Sequence, residues 1–88
     1  MSVRHWWDPP VVVRLGGAGV SRNVTSVEDA AACLLQRWPR GPGGPAYQAA
    51  TRACLAALEG DRAIDDARQA FVDAAEEAGI FLHEGYRR

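Results

Sequence analysis

The chain opens on an aromatic and polar stretch, His5-Trp6-Trp7-Asp8, that runs into Pro9-Pro10. Consecutive prolines fix φ and remove backbone donors, so residues 1–9 read as an extended N-terminal segment and not as helix. Residues 11–15 are a β-branched run and read as a strand. Gly16-Gly17-Ala18-Gly19 reads as a turn, and residues 20–24 as a second strand with Val20 and Val24 on one face. Two short strands around a glycine-rich turn predict an antiparallel hairpin.

The period then changes from two to that of a helix. Thr25 with Glu28, or Ser26 with Asp29, has the spacing of a capping box, so the first helix starts near residue 26. Val27, Ala30, Ala31, Leu34, Leu35 and Trp38 fall on one face, and Pro39 ends the run. Residues 40–44 are a Gly/Pro loop. Pro45 suits the first turn of a second helix, whose expected apolar face is Tyr47, Ala50, Thr51, Cys54, Leu55 and Leu58, with Gly60 as terminator. Asp61 is placed to cap a third helix. Ile64, Ala67, Phe71, Ala74, Ala75 and Ala78 face inward there, and Gly79 stops it. Residues 80–82 are a short closing strand, and residues 84–88 a frayed tail.

The order strand, strand, three helices, strand predicts an α+β domain over residues 1–88. It has a small two- to three-stranded sheet with helices packed on one face, because so few strands need a helical layer to be stable. Burial of Leu34, Trp38, Leu58 and Phe71 is expected to contribute roughly 1.5–3 kcal/mol each.

Composition narrows the function classes. A 48% hydrophobic fraction in 88 residues supports one modest core. The net charge of −1 supplies no global field toward nucleic acid or anionic membrane. All ten basic residues are arginine, scattered along the chain, which together with the many Ala and Gly suggests codon bias of a GC-rich bacterial genome. Cys33 and Cys54 have neither redox-pair nor zinc-knuckle spacing and sit among apolar neighbours as small hydrophobes. No run suits a signal peptide or a membrane span, so the cytoplasm is expected, with both thiols reduced.

Several constellations were weighed for chemistry. A phosphate loop needs a helix directly after its glycines, and here a strand follows residues 16–19. His5 and His83 lie at opposite ends of the chain and could be joined, with Asp8 and Glu84, only by the closing strand; without a local spacing motif they predict no metal. Asp66, Asp73 and Glu77 share one face of the third helix, which reads as a solvated acidic face. Ser21, Ser26, Cys33 and Cys54 sit in no nucleophile signature. No catalytic residue, cofactor or metal is therefore expected.

Two features resist a purely packing explanation. Arg68 projects near the apolar stripe between Ile64 and Phe71, where a guanidinium must reach a carboxylate, a carbonyl or solvent, or stack on Trp38 or Tyr47. Trp6-Trp7 lies in extended chain, where neighbours point opposite ways, so one indole covers the sheet and the other faces solvent or a partner.

The succession Ser26-Val27-Glu28-Asp29-Ala30-Ala31, Leu35, Trp38-Pro39, Tyr47, Ala50, Cys54, Ala57-Leu58, Ala67-Arg68-Gln69-Ala70-Phe71, Ala74-Ala75 and Glu77-Ala78-Gly79-Ile80 resembles the bacterial family catalogued as domain of unknown function 982. The resemblance implies a small cytoplasmic α+β domain and no particular activity. It also implies that Trp38, Tyr47, Arg68 and Phe71 are positions of the family pattern.

The leading expectation is a non-enzymatic binding or interaction module that can self-associate through a sheet edge or the Trp6-Trp7 segment, or meet another protein. The ligand or interface residues are Arg68, Trp6, Trp7, Trp38 and Tyr47. The alternatives are an anionic-metabolite site centred on Arg68, and a nucleic-acid contact through Arg14, Arg22, Arg37 and Arg40, which the acidic face of the third helix opposes.

Overall fold

Three strands and three helices follow one another in the expected order. In this computed structural model residues 4–15, 20–39 and 43–85 are described. The expected glycine turn at 16–19, Arg40 and the last three residues of the expected tail lie outside them. The elements are β1 (Trp6–Arg14), β2 (Ser21–Ser26), α1 (Val27–Ala32) continued by a π-helical segment (Cys33–Arg37), α2 (Pro45–Leu58), α3 (Ile64–Ala78) and β3 (Phe81–Glu84). The fold is α+β, and the sheet is antiparallel with order β2-β1-β3.

β1 is the central strand. Val11 and Val13 are fully buried against the helices, opposite Val24 and Arg22 of β2. Val12 points to the other side, between Asn23 and His83. The strand begins at Trp6, so Pro9 and Pro10 lie inside it rather than before it. Proline is tolerated in a central strand only where the ladder is interrupted. Here the register with β2 shifts between Trp6 and Val11, and the Asp8–Pro9 peptide is cis. The proline carbonyls still accept: Pro10 takes the Gly85 N–H at 2.7 Å, and Pro9 takes a side-chain donor from α3. β3 runs on to Glu84, one residue into the segment expected to fray, and Val20 is exposed just ahead of β2.

Ser26 ends β2 and caps α1, its Oγ accepting the Asp29 N–H at 3.1 Å, while Thr25 donates to the Asp29 carboxylate. Glu28, the other acid of the capping-box pattern, turns away to His5. The helix then widens into the π-helical segment. Each wider turn shifts the phase of the apolar stripe. Cys33, Leu34 and Trp38 consequently point inward, and Leu35, expected on the same face, is 60% exposed.

α2 starts at Pro45 and ends at Gly60, whose φ of 85° accommodates the closing bonds Gly60 N–H to Ala57 and Asp61 N–H to Ala56. Gly79 (φ 74°) closes α3 in the same way. Asp61 therefore finishes α2 instead of capping α3, whose N-cap is Ala63. The buried face of α2 is Tyr47, Ala50, Ala53, Cys54 and Ala57, and Leu55 is half exposed. Those alanines meet Ala67, Ala74 and Ala75 of α3, and close backbone approach outweighs the burial of one more leucine.

The acidic face of α3 is not wholly solvated. Glu77 reaches the start of α2, where its two oxygens accept the N–H groups of Ala46 (3.2 Å) and Tyr47 (3.1 Å). A Cβ on Gly44 would lie 2.8 Å from that carboxylate, which is why glycine precedes the helix.

Candidate functional site

The aromatic residues singled out in the sequence divide into two groups. Phe71, fully buried on α3, holds the ring of Trp7 on one side (centroids 5.8 Å apart) and Trp38 on the other (5.7 Å). Trp38 in turn meets Tyr47 at 5.9 Å. The polar ends are satisfied internally: the Tyr47 hydroxyl donates to Leu34 O at 2.7 Å, and the Trp7 indole N–H donates to Val24 O at 2.8 Å. Trp7, Trp38 and Tyr47 are thus brought together as core.

Trp6 is set apart by the same geometry. With Trp7 anchored inward, the extended backbone forces its neighbour outward, and Trp6 is 63% exposed. The chain on its other side is also fixed. His5 donates its backbone N–H to Glu28 Oε1 at 2.9 Å, its Nδ1 lies 2.6 Å from Glu28 Oε2, and its carbonyl accepts the Val27 N–H at 2.9 Å. Burial pushes the Glu28 carboxyl up, but the His5 side chain, the backbone N–H groups and the His5 charge outweigh it and hold its pKa below the ordinary value. Arg4 lies with its guanidinium carbon 5.5 Å from the Trp6 ring centroid, and bonds to Ser26 and Asp29. An exposed tryptophan is therefore presented on a backbone held from both sides.

Beside it an open pocket of about 420 Å³ is lined by Trp6, Trp7 and Asp8 of β1 and by Ala63, Ile64 and Asp65 at the start of α3. Arg68 sets the spacing of those walls. Its Nε donates to Pro9 O at 2.8 Å and its guanidinium pairs with Glu84, so one side chain joins α3 to β1 and β3 one turn beyond Ile64. The Arg68 side chain is only 12% exposed and does not line the pocket.

The expected His5–His83 cluster does not assemble: His5 is committed to Glu28, and His83 Nδ1 lies 3.0 Å from the carbonyl of Glu84 on the opposite edge strand. Among the described residues no group of three or more His, Cys, Asp or Glu could hold a metal, and no helix is long and apolar enough to cross a membrane. Arg22 pairs with Asp29 at 3.5 Å. Sequence reasoning missed the α3 side of the pocket. Ala63, Ile64 and Asp65 are some fifty residues from Trp6 in the chain, and no local pattern announces their approach.

A central three-stranded sheet backed by three helices, clamped by the arginine on α3, defines a small α+β domain of one recurring kind. The chain belongs to the family described as Protein of unknown function (DUF982), whose model matches residues 9–82. It is similar to the Agrobacterium tumefaciens protein Atu1219, known from an NMR structure: identity is 32% and the TM-score 0.73, over 99% of this chain and 91% of that one. No curated protein matches the chain.

Proposed function

We propose that this domain is a non-enzymatic interaction module whose recognition surface is the corner formed by the start of β1 and the start of α3. The observation that carries this reading is Trp6: a large indole, mostly exposed, on a backbone held by Trp7 and His5 and bordering an open pocket. A pre-ordered aromatic side chain loses little conformational entropy on binding, which is why tryptophan dominates interface hot spots. The other arginine-centred reading has less support, since the partners of Arg68 are an internal carbonyl and a carboxylate. We place its action in the cytoplasm, a reading supported by two buried cysteines that remain free thiols.

The test is the Trp6 dependence of ligands selected from a random-peptide library. Peptides enriched on the native chain should fail on Trp6→Ala and persist on Leu55→Ala, which removes an exposed leucine elsewhere. Equal binding to both variants contradicts the reading. Light scattering of the same proteins decides the self-association expectation: a concentration-dependent dimer lost in Trp6→Ala makes the partner a second copy, and a monomer leaves the corner for another protein.

A further inference from the structure

The chemistry of the corner says what kind of group it receives; this inference rests on the reading of the corner as a recognition surface. We propose that the pocket between β1 and α3 takes the guanidinium of an arginine on a partner protein, stacked on the Trp6 indole and paired with the carboxylates of Asp8 and Asp65.

The walls decide the sign of the ligand. The start of α3 has no side-chain cap, and an uncapped helix N-terminus favours an anion with a partial charge of roughly +0.5. Asp65 in that first turn and Asp8 across the gap each bring a full negative charge, with Asp66 adjacent. The carboxylates outweigh the helix terminus several-fold, so the pocket is electronegative.

The remaining lining selects the shape. Indole is the best of the aromatic faces for a cation, and the Trp6 ring already receives one guanidinium, that of Arg4, which does not line the pocket. Ile64, Ala63 and the edge of Trp7 give an apolar wall for an aliphatic stem. Arginine fits this combination better than lysine, because its planar fork both stacks on the ring and meets a carboxylate with two donors.

Two other occupants fit less well. A second copy docked about a two-fold axis would set the same patch against itself and bring like charges together. A purely apolar segment would cover Asp8 and Asp65 without supplying donors.

The probe is an acetylated, amidated glycine pentapeptide with a central arginine, titrated into the full chain and followed by ¹H–¹⁵N NMR. We expect saturable shifts of the Trp6 indole N–H and the Ile64 and Asp65 amides, weakened by salt. Citrulline in place of arginine, Trp6→Ala, or Asp65→Asn should each lower affinity about tenfold. Both altered side chains are exposed, and an unmoved Trp7 indole N–H reports that the fold is kept. Equal binding of the citrulline peptide, or preference for a glutamate peptide, overturns the proposal. If library-selected ligands need Trp6 but carry no arginine, the interaction reading stands and the arginine inference falls. If they do not need Trp6, both fall.

Discussion

Arg68 Nε donates to Pro9 O at 2.8 Å, a bond between residues 59 apart that fixes the second turn of α3 against the start of β1. It connects the two features of the sequence that packing alone left open. The arginine on the apolar stripe holds together the walls of the pocket beside the exposed tryptophan.

Removing that side chain should both destabilise the fold and disturb the corner. Arg68→Met keeps most of the stem and loses the charge-assisted bonds, and is expected to cost about 1–3 kcal/mol in urea unfolding. Arg68→Lys should recover only part of this, because an ammonium has no Nε fork with which to reach Pro9 and Glu84 together. Glu84 is half exposed, so Glu84→Gln should cost less, about 0–1 kcal/mol. A larger loss in Glu84→Gln than in Arg68→Met would contradict this ordering.

Glu77 and Gly44 form a cap that can be tested as a pair. Glu77→Ala leaves the Ala46 and Tyr47 N–H groups without their carboxylate and should cost about 1 kcal/mol. Gly44→Ala should be destabilising in the native chain, because its Cβ would displace that carboxylate. In the Glu77→Ala background the same change should cost much less. Additive losses across the double-mutant cycle would show that the two positions are not coupled.

Acid should loosen the hold on His5. The pKa of Glu28 is lowered in the folded chain, so its contribution to stability is present above the ordinary carboxylate value of 4.5 and disappears as pH falls through the lower folded value. Urea midpoints of the native chain and Glu28→Gln should therefore differ at neutral pH and converge below pH 4.5. A gap that stays constant into the acid range would remove the ionised carboxylate as its source.

The two cysteines should be inert in the folded state. Burial pushes the Cys54 thiol up to about 12 and also raises Cys33, where nearby Arg22 only partly offsets it. A thiol reagent at neutral pH should modify neither in buffer and both in urea. Rapid labelling of the folded chain would mean that one of the helices opens locally.

The elements that could be read from the chain are those fixed by neighbours in sequence. Ser26 caps within three residues, Pro45 and Gly60 bracket α2, Gly79 closes α3, and the alternation of an extended backbone separates Trp6 from Trp7. What could not be read depends on distant contacts. The π-helical segment turns Leu35 outward against its apparent period, and alanine-rich contacts between α2 and α3 leave Leu55 outside. Glu77 looks like part of a solvated acidic face until the start of α2 is seen beside it. Asp65 similarly reads as a dipole-favoured helix acid, and only the Arg68 bracket brings it opposite Trp6.

The most direct test of the recognition corner is an NMR map of the native chain with a peptide selected on it. The account predicts that the largest shifts fall on the Trp6 indole N–H and on the amides of Ile64 and Asp65, with the outer sheet face at Val12, Asn23 and His83 unchanged. Shifts centred on that sheet face, with Trp6 unmoved, would contradict it.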